Sequence, residues 1–159
     1  MENLDGYLND HLAGSIGALE LVDRLIDVYE GKPREQFFRD LRDKIDQDQK
    51  TLKQLIEDLG EKESAIRKAG AWVLEKFSRA RIQLSESGEE EMGLFLALEA
   101  LALGITGKRY LWRALAFAAA ESVALRKLDY ALLEKRAIEQ CDEVEAKRME
   151  VARRVLRPA

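Results

Sequence analysis

Residues 33–59 read PREQFFRDLRDKIDQDQKTLKQLIEDL, and this stretch decides the fold class. Phe38, Leu41, Ile45, Asp48, Leu52, Leu55 and Leu59 recur at alternating spacings of three and four, which is one stripe of an α-helix. Gly60 supplies a C-terminal stop, and Pro33 suits the first helical position. Upstream, Leu8, His11, Ser15, Ala18, Val22, Leu25 and Tyr29 repeat the spacing within a segment from Leu4 to Glu30, and Gly31 ends it. The link between the two segments is too short for anything but an antiparallel hairpin.

Three more helical segments follow downstream. The third, Glu63 to Leu84, pairs an apolar face with a basic surface. Ser87 and Glu90 then read as a capping box opening a fourth segment, Glu89 to Ala120. This fourth segment is apolar almost all round between Leu94 and Ile105, so it is expected to be the most buried. Gly104 and Gly107 in it permit a kink or a close neighbour. The fifth runs from Asp129 to Leu156, with Tyr130, Leu133, Ala137, Cys141, Val144, Arg148, Val151 and Val155 along one face. The turn between the last two, near 121–127, contains no Gly or Pro. The expectation is one all-α domain over residues 1–159, an antiparallel bundle of four long helices plus one shorter crossover helix. Each long helix would span ~40 Å.

Composition agrees and excludes several functions. A chain of 159 residues that is 47% hydrophobic and 35% charged is globular and large enough for a core. Cys141 is the sole cysteine, so neither an internal disulfide nor a cysteine-based zinc site is available. The first residues lack a signal-peptide pattern, and the longest nearly apolar run, 92–106, contains Glu99 and is too short for a bilayer. A cytoplasmic setting without membrane contact is expected. The net charge of −4 argues against nucleic acid as a partner.

The first hairpin, its closing stretch Asp46 to Gly60, and Glu99 within Leu-Ala-Leu-Glu-Ala-Leu-Ala-Leu together carry a family resemblance. Over most of its length the chain resembles a distant member of the ferritin-like four-helix-bundle superfamily. A five-helix up-and-down bundle is the rival reading. The resemblance implies a di-iron site built from a Glu on each of two helices and Glu-x-x-His on each of the other two. This chain departs from that pattern. His11, its only histidine, stands on the first helix where a Glu is wanted. Asp46-x-x-Gln49 and Glu139-x-x-Asp142 lack histidine, and Glu99 alone keeps the expected type. The resemblance therefore implies the fold and a degenerate di-metal site, without the oxidase activity.

Asp48, Glu99 and His11 stand among apolar positions of their helices. Asp48 must be paired, neutral or functional, since a lone buried carboxylate is costly. Its candidate partners are a hydroxyl such as Ser15 or Thr51, a basic residue of another helix, or water. Glu99 is a metal ligand or base, or else a buried partner of Arg148 on the fifth helix. The same register sets Glu139 against Arg109. His11 is a core or rim histidine, a metal ligand or a pH switch. If Tyr29 meets Phe38, His11 lies about seven residues, or ~10 Å, from the level of Asp48. The small residues from Ala13 to Ala18 admit a close helix or a flat ligand.

The leading expectation is a non-catalytic bundle acting through its surface as a homodimer, with no cofactor, and with Trp72, Trp112 and Tyr110 as exposed anchors. The alternative is a carboxylate metal site of Glu99, Asp48, Glu139, Asp142 and His11. Its hard oxygen donors would favour Mn or Mg. A further alternative is a pocket between the helices for an apolar small molecule.

Overall fold

The computed structural model describes residues 2–60, 75 and 90–158. Every regular element among them is helical: α1 (Glu2–Val28), α2 (Glu35–Asp58), α3 (Glu90–Ala118), a single 3₁₀ turn (Val123–Leu125) and α4 (Tyr130–Val155). The fourth and fifth predicted segments are thus α3 and α4. Helix α3 runs unbroken through Gly104 and Gly107. The predicted third segment apart from Glu75, the capping-box residue Ser87 and the anchor Trp72 lie outside the described residues.

The α1–α2 link forms as the glycine and proline positions predict. Gly31 turns with φ +72°, and its N–H donates to Glu35 Oε2 at 2.7 Å, which closes the first turn of α2. Tyr29 and Phe38 stack across the link with ring centroids 5.7 Å apart. The α3–α4 turn works without glycine because a side chain replaces it. The Arg126 guanidinium donates to the carbonyls of Ala119 and Ala120, which α3 leaves without helical partners. Asp129 then caps α4 by accepting from Leu132 N at 3.0 Å, and Tyr130 Oη donates to Leu125 O at 2.7 Å.

Ion pairs give the relative directions. Lys32 and Arg34, before α2, reach Glu90 and Glu91 at the start of α3 (3.6 and 3.4 Å). At the other end, Asp58 of α2 meets Lys127 beyond α3 at 3.7 Å. Helices α2 and α3 are therefore parallel, and the chain leaves α2 at one end of the bundle and enters α3 at the opposite end. The α1–α2 hairpin packs against the α3–α4 hairpin, α1 on α3 and α2 on α4. The interior is filled by Leu12, Leu25, Phe38, Leu55, Leu94 and Leu98, among others, all essentially removed from water. Trp112 belongs to this interior with only 1% of its surface exposed, so the expectation of an exposed anchor there is wrong. Its place on α3 puts it in the core against Tyr130, with ring centroids 6.5 Å apart.

Candidate functional site

The polar centre of the bundle is built around Asp48, whose side chain is 1% exposed. The stripe that carries it faces inward, so its carboxylate is drawn into the core with its apolar neighbours. Two cations from the other hairpin meet it. Lys108 Nζ of α3 donates to Oδ2 at 2.7 Å, and Arg136 Nη2 of α4 lies 3.0 Å from Oδ1. The Arg136 N–H is directed at Gln47 Oε1 at 2.8 Å, so Oδ1 feels the charge without accepting an aligned hydrogen bond. Gln140 of α4 completes the group: its Nε2 donates to Asp48 Oδ2 at 2.9 Å, and its Oε1 accepts from Lys108. The partner of Asp48 is therefore the basic residue of another helix, twice over. Ser15 instead accepts from Gln49 Nε2 at 2.9 Å. Burial pushes the Lys108 ammonium below the usual lysine range, while the charge of Asp48 pulls it back up.

Beside this cluster lies a partly open cavity of about 270 Å³ between α1, α2 and α3. Small residues make the room, Gly14 and Ala18 on α1 and Ala100, Gly104 and Gly107 on α3. The walls are mostly apolar, with Ile45, Leu52, Leu103, Ile105 and Leu111 among them. Polar groups enter at a few points: Asp48 and Lys108, Gln49 with Ser15, and Asp10 with His11. Among the described residues, the buried Trp112 Nε1 has no hydrogen-bond partner. A Cβ added at Gly107 would meet nothing within 4 Å. At roughly 30 Å³ per molecule, the cavity holds about nine waters' worth of space. Few polar groups in a mostly apolar concavity is the usual make-up of a small-molecule site.

The predicted metal ligands are not gathered. Asp48 is engaged by two cations. Glu99 pairs with Arg148 at 3.3 Å, nine residues and ~13 Å along α3 from Lys108. Glu139 is exposed and lies 3.9 Å from Lys135 of its own helix, and Asp142 is exposed. Arg109 meets Glu134 at 3.3 Å, so the expected facing of Glu139 and Arg109 is off by more than a turn. Among the described residues no three His, Cys, Asp or Glu form a group able to hold a metal ion. His11 is half-buried, edge-on to Tyr7 at 4.8 Å, and lines the same cavity as Asp48. The contact between Gln49 and Ser15 shows that the hairpin register has drifted by about three residues from the Tyr29–Phe38 end, which brings His11 closer to the level of Asp48 than expected. Burial lowers the His11 pKa below the ordinary histidine range, opposed by Asp10.

Glu99 and Arg148 pair as the register predicts, but the expected burial is wrong. The Glu99 side chain is 36% exposed, and Arg148 also holds Glu145 at 2.6 Å. Lys108, Arg136 and Gln140 were missed. A signal existed for two of them. Lys108 interrupts the buried series Leu101, Ile105, Leu111 and Leu115, and Gln140 interrupts Leu133, Ala137 and Val144, just as Asp48 interrupts its own stripe. Each of three helices contributes a polar residue at a core position, and the three meet.

Fold and site together define an all-α bundle with a buried charged cluster beside an internal cavity. Among the described residues no helix is long and apolar enough to cross a membrane. Comparison with protein-family models, curated proteins and solved structures finds no match to this chain.

Proposed function

We propose that this chain is a non-catalytic, ferritin-like bundle whose interior cavity binds a small, largely apolar molecule. The observation that carries the reading is the cavity itself. A stably folded core of this size packs to crystal-like density with few voids larger than a water. Here small residues from two helices hold about 270 Å³ open. Empty apolar space opposes folding, and an occupant would offset that cost.

Octan-1-ol serves as the probe. It should raise the melting temperature of the protein and bind saturably by calorimetry. Gly107→Phe, which places a ring where an added side chain has open space, should abolish that binding. Non-saturable uptake unaffected by Gly107→Phe would refute the reading.

A second reading, action through the surface as a homodimer, rests on a different observation. Tyr110, Phe117, Val123 and Leu132, around the α3–α4 turn, are large apolar side chains left exposed, Phe117 by 78%. Sedimentation of the protein against Phe117→Asp tests it. A dimer dissociated by that charge supports the reading, and a wild-type monomer at high concentration refutes it.

A further inference from the structure

We propose that Lys108 is a covalent attachment point for the ligand of this cavity: its amine condenses with an aldehyde that has an apolar body, and Asp48 pairs with the resulting iminium. The proposal rests on the cavity-binding reading above.

The surroundings of the amine point to this chemistry. Lys108 is one of the residues lining the cavity, and the walls near it are mostly apolar, with Ile45, Leu103 and Leu111 among them. Gly104 stands one turn earlier on the same face of α3 and brings no side chain into the space beside Lys108. A lysine attacks a carbonyl only as the neutral amine, and dry, apolar surroundings favour that form. Burial is the largest influence on Lys108 and lowers its pKa on balance, although Asp48 opposes it. Arg136 adds to the lowering, because it lies 3.0 Å from the other oxygen of the same carboxylate. One carboxylate thus answers two cations, and of the two only the lysine can give up a proton.

The hydrogen bonds suit the same chemistry. Nζ donates to Asp48 Oδ2 at 2.7 Å and to Gln140 Oε1. Those bonds use both hydrogens of a neutral amine, and among the described residues nothing engages the position left for the lone pair. Condensation needs no further reactant. The lone pair attacks the carbonyl carbon and a C–N bond forms. The carbonyl oxygen leaves as water, together with two of the three hydrogens of the original ammonium. Asp48 Oδ2 is placed to carry the first of those protons from nitrogen to the departing oxygen. The iminium keeps the remaining hydrogen and the single positive charge, so the buried pair with Asp48 is the same before and after.

The charges of the lining select a neutral ligand. Asp48 already offsets Lys108, Asp10 is an exposed carboxylate, and burial pushes His11 toward its neutral form. No cation of the lining is left over for an anion, whereas an aldehyde arrives uncharged and loses little on entering apolar walls.

The test is octanal with cyanoborohydride, which reduces an iminium to a stable amine, applied to the full chain at neutral pH and followed by peptide mapping. Lys108 should be alkylated at least about tenfold faster than any other lysine, because the cavity holds the aldehyde beside this amine alone. Excess octan-1-ol, which fills the cavity without reacting, should suppress that labelling and leave surface lysines unaffected. Lys108→Arg, which keeps a cation for Asp48 and cannot form the adduct, should show no fast site; a fast site that persists there lies elsewhere and refutes the proposal. Saturable binding of octan-1-ol with Lys108 reacting no faster than surface lysines would overturn the proposal and leave the cavity-binding reading standing. Absence of saturable octan-1-ol binding would overturn both. Fast labelling of Lys108 that octan-1-ol does not suppress would mean that the amine is reached from outside the cavity, and would also overturn the proposal.

Discussion

Replacing Asp48 by Leu would complete the apolar stripe of α2, yet it should destabilise the protein strongly. The carboxylate is itself nearly inaccessible, so its own desolvation penalty disappears with it. What is left behind decides the sign. Lys108 loses its 2.7 Å partner while its side chain is only 15% exposed, and Gln140 Nε2 loses its acceptor. Arg136 is better placed to turn to solvent and keeps Gln47. Removing one member of a buried pair leaves an uncompensated charge at about 3–5 kcal/mol. For a chain of this length that corresponds to a fall in melting temperature of roughly 6–20 °C.

Asp48→Leu combined with Lys108→Met removes both charges and should recover most of the loss, ending within about 1–2 kcal/mol of wild type. The pH dependence supplies a second check. Burial already lowers the Lys108 pKa, and Asp48 opposes that. Without Asp48 the folded-state value falls further, while the unfolded value stays at about 10.4. Between those two values the unfolded chain binds more protons than the folded one, so stability rises with pH there. The deficit of Asp48→Leu should therefore shrink as pH climbs from neutral toward about 10. Urea denaturation at neutral and alkaline pH measures it. A neutral or stabilising Asp48→Leu, or a double variant as unstable as the single, would refute the reasoning.

Glu99→Ala should cost no more than about 1 kcal/mol, since the pair with Arg148 is partly exposed and Arg148 keeps Glu145; a loss above 3 kcal/mol in the same urea assay would show that the pair acts as a buried one. His11→Gln should flatten the acid limb of stability. Burial lowers the folded-state pKa of His11, so its contribution is complete above the unfolded value of about 6.5 and is lost as pH falls below it; identical slopes for both proteins between neutral and mildly acid pH would contradict this. Gly107→Ala should stabilise by up to about 1 kcal/mol, because the helix gains alanine's propensity and the new methyl meets nothing within 4 Å; a lower melting temperature would mean that the space is not open.

The helices were legible in the sequence because their periodicity, glycine stops and lack of internal proline are local properties of the chain. Segment ends predicted at Leu4–Glu30 and Pro33–Leu59 became Glu2–Val28 and Glu35–Asp58. The position of the glycine-free turn near 121–127 was legible too, but what holds it was not: Arg126 reaches back seven residues to Ala119 O, and no local pattern encodes that. Pattern likewise singled out Asp48 and Glu99 as acids on apolar stripes, and paired the second with Arg148. It could not say that Asp48 would be buried and Glu99 partly exposed, because burial depends on which helices pack over a stripe. The cavity lay further still from the sequence. Gly14 and Ala18 read as admitting a close helix or a flat ligand, and Gly104 and Gly107 as permitting a kink or a close neighbour. Only the rotation and separation of α1, α2 and α3 decide whether small side chains let the helices approach or leave a space between them, and that choice is made by contacts between residues distant in the chain.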